Sequence, residues 1–222
     1  MYTIKDLFAL DETYPEVREY MLQFTYPYEA LKGIKELILK IGENLPRDEF
    51  EEIKKDVWVA KDANIFPSAY INGPCIIGHG TEVRHSAFIR GSALVGNNCV
   101  VGNSTELKNV ILFNRVQVPH FNYVGDSILG FHSHMGAGSI TSNVKSDQKP
   151  VVMRDGTEII DTGLKKVGAM LGDYVEVGCN SVLNPGTVIG RSTNIYPLSS
   201  VRGTVPGNSI YKNQGDIVEK VY

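Results

Sequence analysis

One spacing governs the chain between Val59 and Val201. Aliphatic residues recur every six positions, at Val59, Ile65, Ile71, Ile77, Val83, Ile89, Val95, Val101 and Leu107. Small residues follow four positions later, at Ala63, Ala69, Cys75, Thr81, Ala87, Ala93, Cys99 and Thr105. The phase returns as Leu171, Val177, Leu183, Ile189, Ile195 and Val201, with Ser181, Thr187, Thr193 and Ser199 in the small position. A six-residue unit is too short for a pair of helices, but it suits one short strand and a corner. The aliphatic side chain points inward, the small residue fits where the interior narrows, and Gly78, Gly96 and Gly102 stand where a tight corner favours glycine. Three units close one coil of eighteen residues, and coils stack by parallel strand pairing. Each coil then buries its core only against its neighbours, as in a solenoid. A sandwich of alternating strands does not hold one phase over nine units. The expected fold is all-β, a parallel β-helix.

The remaining sequence sets bounds. With 222 residues and 42% hydrophobic content, the chain can build one sizeable core or two small ones. A formal net charge of -3 and the lack of a basic run argue against a nucleic-acid partner. No apolar stretch reaches the roughly eighteen residues of a membrane span, and Met1–Asp6 does not read as a signal peptide. Cys75 and Cys99 fall in the small inward position and read as buried filler, with no disulfide and no metal; a cytoplasmic protein is the simplest expectation.

Residues 1–52 follow a different rule. Val17, Tyr20, Met21 and Phe24, then Ala30, Leu31, Ile34, Leu37, Ile38 and Ile41, recur at helical spacing, and Asn44 and Pro46 end the second stripe. We expect a helical cap over 1–52, packed on the first coil or on a neighbouring subunit. The β-helix should cover 53–205, with a C-terminal tail over 206–222 packed on the side of the prism. The phase slips by one between Leu107 and Val118 and again between Val124 and Leu129. Residues 144–168 leave it altogether, as a hairpin excursion turning at Asp155-Gly156 that would serve as a lid or a subunit contact.

Chemistry-bearing residues gather around those slips. His120 lies between them, and histidine suits base chemistry near neutral pH. Arg90 and Lys108 are eighteen apart in unbroken phase, so they stack on one side of the prism as an anion site, most simply for a phosphate. No acid is expected between them.

The hexads resemble the hexapeptide-repeat transferase family, whose fold is a left-handed parallel β-helix. The hand comes from the resemblance, since the period does not supply it and the usual crossover rule points the other way. The segments His120–Asp126 and Gly136–Asn143 are similar to the acetyltransferase domains of the bifunctional glucosamine-1-phosphate acetyltransferase/N-acetylglucosamine-1-phosphate uridyltransferase family. Those domains carry His-x-x-Tyr-x-Gly-Asp, then Gly-Ala-Gly-Thr-Ile-Thr-x-Asn, then Lys six residues on. Here His120, Tyr123, Asn143 and Lys149 match, and Ser139 replaces Thr. The resemblance implies acetyl transfer from acetyl-CoA to the amine of an amino-sugar phosphate. His120 would be the general base and the Ala137 N–H an oxyanion donor. Arg90, Lys108, Tyr123 and Lys149 would hold the sugar phosphate, Asn143 and His134 the sugar, and Ala137, Cys179, Pro197 and Lys212 the CoA, along the groove between prisms of a homotrimer. The family has Asn where His134 stands, Ser at Cys179 and Tyr at Val144, and its best-known members carry a nucleotidyltransferase domain where this chain has 1–52. Two other readings stay open. One is a trimeric module that binds a sugar phosphate or sugar nucleotide without turnover. The other is a zinc hydratase of the same fold, resembling the γ-class carbonic anhydrases and drawing ligands from His79, His85, His120, His132 and His134.

Overall fold

The computed structural model describes residues 1–213 and 216–220. The coils stack through three parallel ladders, which we call faces A, B and C. Face A runs through Val57–Ala60, Cys75–Ile77, Ala93–Val95, the second halves of Glu106–Leu112 and Tyr123–Leu129, Ala169–Leu171, Thr187–Ile189 and Thr204–Val205. Face B runs from Asn64–Ile65 through Glu82–Val83, Val100–Asn103, Gln117–His120, His134–Met135, Glu176–Val177 and Asn194–Ile195. Face C joins Tyr70–Ile71, Phe88–Ile89, the first halves of Glu106–Leu112 and Tyr123–Leu129, Ile140–Thr141, Val182–Leu183 and Ser200–Val201. The expected left-handed β-helix is this solenoid. Its inward column is dry: Ile77, Val83, Ile89, Val95, Val101, Leu107, Val118 and Val124 are fully buried. Cys75 and Cys99 fill the same interior, and burial pushes the Cys99 thiol up to about 12.

The two phase slips have a single structural cause. The corner from face C to face A uses Arg90, Gly91 and Ser92 between Ile89 and Ala93. In the next two coils it uses only Lys108-Asn109 and Gly125-Asp126, so the strands run straight through as Glu106–Leu112 and Tyr123–Leu129. Asn109 and Asp126 take the left-handed turn, with φ of 54° and 49°. The excursion leaves from this same corner, after Asn143. Its strands Val152–Asp155 and Glu158–Asp161 pair as the expected hairpin, with Gly156 at φ 56°. Expected as a lid or a subunit contact, the hairpin lies against the C-terminal coils on the face A side. Met153 and Val151 are buried against the C-terminal coils, where Gly186 and Gly203 leave room for them and for Arg154.

The N-terminal segment is also placed differently from an end cap. Its helices are α1 (Ile4–Leu7), α2 (Pro15–Met21) and, after a 3-10 segment over Pro27–Gly33, α3 (Ile34–Asn44). Together they form a strap along face A, running against the direction of stacking. Tyr2 Oη accepts from the Gly207 N–H at 2.8 Å, the Leu7 carbonyl accepts from the Asp173 N–H at 3.0 Å, the Leu31 carbonyl accepts from Asn109 at 3.3 Å, and Gly42 lies on the Trp58 ring. The physical reason is the outward residue of face A, which is apolar in coil after coil: Trp58, Ile76, Leu94, Ile111, Ile128, Met170 and Val188, all buried. α3 turns Ile34, Leu37, Ile38 and Ile41 onto this stripe. The first coil is instead flanked by Phe50–Lys54, antiparallel to Val57–Ala60. The tail does not simply pack on the prism side. Ser209–Asn213 adds a rung to face B and pairs with Asp216–Glu219 as an antiparallel edge.

Ile111 touches the strap side of face A and is fully buried. Ile111→Ala is expected to lower the unfolding free energy by about 2–5 kcal/mol, through lost burial and the cavity left behind. The denaturant midpoint at unchanged m-value measures it.

Candidate active site

Two corners border face C, and each holds one part of the candidate site. At the C–A corner the shortened turns bring polar side chains inward. Asp126, only 4% exposed, accepts from Lys108 Nζ at 3.1 and 3.2 Å, from Asn109 Nδ2 at 2.9 Å and from Asn143 Nδ2 at 2.5 Å. Asn143 also donates to Tyr123 Oη at 3.2 Å. The Tyr123 phenol proton is thereby left for another acceptor. Partial burial pushes this phenol above its usual value, opposed by the Asn143 hydrogen bond and assisted by the carboxylates of Asp126 and Glu106. Arg90 Nη1 donates to Glu106 Oε1 at 2.8 Å, which holds the guanidinium more firmly charged. The expected pair of cations without an acid is therefore corrected: Arg90 and Lys108 each meet a carboxylate from face C or its corner. Arg90 and Lys108 still line one recess of about 340 Å³, with Asn109, Ser92 and the backbone of Gly73 and Gly91.

At the B–C corner the column reads Asn103, His120, Ala137, Cys179 and Pro197. Successive corner amides tie it together: Phe121 to the Asn103 carbonyl at 2.8 Å, Gly138 to His120 at 3.0 Å, Asn180 to Ala137 at 2.8 Å and Leu198 to Cys179 at 2.9 Å. Buried Asn122 locks the His120 turn. Its Oδ1 accepts from the His120 N–H at 3.1 Å, and its Nδ2 donates to the carbonyls of Gly136 and Ser139 at 2.9 and 3.0 Å. The His120 imidazole stands exposed on this fixed backbone. The Ala137 N–H donates to no described residue.

Face B beside this corner carries a groove of about 500 Å³, lined by His134, Glu176, Cys179, Asn194, Tyr196 and Pro197 over a floor that includes Gly136 and Gly178. A side chain on either glycine would strike the backbone of the next coil at 2.7 or 2.4 Å, so the floor is bare by necessity. His134 Nδ1 lies 2.8 Å from Glu176 Oε2.

The structure thus gathers Tyr123, Asn143, Lys108 and Arg90 around one corner. It gathers Cys179, Pro197 and His134 in a second place, and His120 and Ala137 continue the corner column of Cys179 and Pro197 outside the groove lining. His134 lies apart from the Tyr123–Asn143 cluster in which the resemblance put it. Lys149 is exposed on the excursion and lines neither hollow; its N–H donates to Asp147. Lys212 is exposed on the added face B strand, outside the groove lining. Of the other histidines, His79 contacts Asp62 and Glu49, His85 contacts Ser68, and His132 stacks on Tyr174. Among the described residues no three His, Cys, Asp or Glu side chains are grouped for a metal ion, and no helix is long and apolar enough to cross a membrane. Sequence reasoning gave no role to Glu106, Asp126, Asn122 or Glu176. Glu106 and Glu176 stand one residue before an inward aliphatic, the outward position of a hexad, and that was the available signal.

The coil of hexads is the fold of the hexapeptide-repeat acetyltransferases, and the chain is of that class. A family model described as the GMPPB C-terminal domain matches residues 71–205, more than half of the chain, and the chain belongs to that family. The bifunctional sugar-1-phosphate nucleotidylyltransferase/acetyltransferase of Sulfurisphaera tokodaii is 32% identical over 161 residues, which are 72% of this chain and 40% of that protein. The bifunctional protein GlmU of Methanococcus maripaludis is 32% identical over 117 residues, 52% of this chain and 28% of the relative. The chain therefore spans well under half the length of these relatives. Among solved structures, the polySia-specific acetyltransferase NeuO superposes with a TM-score of 0.45 at 14% identity, covering 74% of this chain and 76% of that one.

Asp126→Ala would strand Lys108 and take one acceptor from each of two half-buried amides, Asn109 and Asn143. We expect a loss of about 3–5 kcal/mol in unfolding free energy, as for a broken buried ion pair. Lys108→Met combined with Asp126→Leu should recover part of it. A double-mutant cycle in denaturant reads both.

Proposed function

We propose that the chain is an acetyl-CoA-dependent N-acetyltransferase acting on a phosphorylated amino sugar, such as an amino-sugar 1-phosphate. The observation that carries this reading is the position of His120. It stands at the B–C corner, where face B, whose bare-floored groove lies on the coils that follow, meets face C, whose Tyr123 leads to the polar cluster at the far edge. A thioester lying along the groove and an amine lying on face C would meet there.

The chemistry follows from the groups in place. The acceptor's ammonium gives a proton to the exposed His120 imidazole. The free amine attacks the thioester carbonyl carbon, and the Ala137 N–H, which has no described acceptor, donates to the oxyanion. The carbon–sulfur bond then breaks, the departing thiolate takes the proton held by His120, and the nitrogen releases its second proton to solvent, leaving an amide and CoA. The Tyr123 hydroxyl and the Asn143 carbonyl oxygen would orient the sugar, with its phosphate toward Arg90 and Lys108. Lys149 would approach the same phosphate from the excursion. Cys179, Pro197 and His134 would line the pantetheine arm, and Lys212 would meet a CoA phosphate farther along face B. Face A is covered by the strap, so a second subunit would close the groove from faces B and C; we propose a homotrimer in the cytoplasm.

The test is thiol release from acetyl-CoA with a panel of amino-sugar phosphates. Wild type should turn over one acceptor, and His120→Ala should lower kcat by a hundredfold or so, the loss of a general base. Binding of CoA and sugar phosphate with no turnover on any acceptor would sink the enzymatic reading in favour of a non-catalytic sugar-phosphate module.

A further inference from the structure

The recess at the C–A corner has a wall that the β-helix does not supply. Lys35, from the first turn of α3, lines it together with Arg90, Lys108, Asn109 and Ser92. Arg90 and Lys108 already have carboxylate partners, Glu106 and Asp126. Lys35 has none among the described residues. Three cations against two carboxylates leave one positive charge in a hollow of about 340 Å³. The hollow also offers backbone donors. The N–H groups of Gly91 and Ser92 bond to no described residue, and Gly91 is buried. Backbone N–H groups with no internal acceptor are left to bond water or a ligand. Gly91, at φ 109°, has no room for a side chain, because a Cβ would stand 2.5 Å from the Gly73 carbonyl oxygen.

The wall is held in place. Asn109 donates both to the Leu31 carbonyl, three residues before α3, and to Asp126 at the centre of the polar cluster. The segment leading to Lys35 and the residues proposed to orient the sugar are therefore joined through one side chain.

We infer that Lys35 of the N-terminal strap is a substrate-binding residue, completing with Arg90, Lys108 and the Gly91–Ser92 amides a site for a phosphoryl group of the acceptor. This rests on the acetyl-acceptor reading of the same corner. Lys35 belongs to α3, which packs on face A, so it reaches the recess from the side away from the B–C corner, where the amine would lie. In the recess lies the phosphate of a sugar monophosphate, or the second phosphate of a sugar nucleotide, with the nucleoside beyond it.

Calorimetric titration of the full chain with inorganic phosphate and with pyrophosphate tests the site without any turnover. Lys35→Ala should weaken binding about tenfold, Lys35→Arg should keep it, and Lys40→Ala, on α3 but lining a different hollow, should leave it within twofold. In acetyl transfer, Lys35→Ala should raise KM for the phosphorylated acceptor about tenfold, with kcat and KM for acetyl-CoA kept. A larger loss for pyrophosphate than for phosphate identifies the sugar nucleotide, and an equal loss the monophosphate; both uphold the site. Equal losses in the Lys35 and Lys40 variants, no change in either, or no anion binding by wild type overturns it. Lys35-dependent anion binding without acetyl transfer would instead remove the proposed function and leave the site standing.

Discussion

The inward column of aliphatic side chains is the constraint from which the rest of the molecule follows. A two- or three-residue strand gains little by itself, and a coil of three such strands encloses only a thin core. Stacking makes the column continuous, and at roughly 1.5–3 kcal/mol for each fully buried aliphatic side chain the sum over coils is what holds the backbone rungs in parallel register. That register leaves the outward residues and the corners free to vary. The polar residues here use that freedom at one corner more than at the others.

The C–A corner is where the coil departs from its own rule. Removing one residue from two successive turns draws Lys108, Asn109, Gly125 and Asp126 in toward the prism and puts the Asp126 carboxylate among three donors. A carboxylate that is 4% exposed is costly unless its lone pairs are filled, and here they are. Asp126 therefore serves as a rigid joint. It orients Asn143 toward Tyr123 on one side and ties Asn109 to the strap on the other. The excursion starts at the same corner, which shows how far its geometry has been released from the hexad.

Much of this was legible in the sequence, for reasons that also mark where legibility stops. The inward position repeats every six residues because every strand faces the same core, so Ile65 and Ile195 obey one rule although they lie in the first and last regular coils. Outward residues obey no period, and their partners depend on which coils stack and by how many residues a corner is shortened. For that reason Arg90 and Lys108 read as a bare pair, while Glu106 and Asp126 went unnoticed beside them. His120, Tyr123 and Asn143 stood out only through a family's motif, because one histidine on a solenoid has no spacing of its own. The stripe from Ala30 to Ile41 announced a helix with one buried face but not the surface it would cover. The answer lay in another hexad position: an apolar residue just before the inward one, at Ile76, Leu94, Ile111, Ile128, Met170 and Val188, recurring once per coil rather than once per strand.

That once-per-coil stripe has a consequence for the site. A prism with three equivalent faces could present its corners to solvent or to neighbours in any combination. Covering face A along its length leaves faces B and C as the open faces, and the B–C corner, which carries His120 and Ala137, is the one corner that borders no covered face. The C–A corner is changed from an open edge into a hollow with a wall, because α3 stands beside Arg90 and Lys108 rather than above an end coil. The strap thus sorts the edges of a nearly symmetric rod into one that can meet another surface and one that can enclose an anion. It does so with the same apolar packing that stabilises it, so position and stability of the candidate site cannot be varied independently by substitutions along Ile76, Leu94 and Ile111.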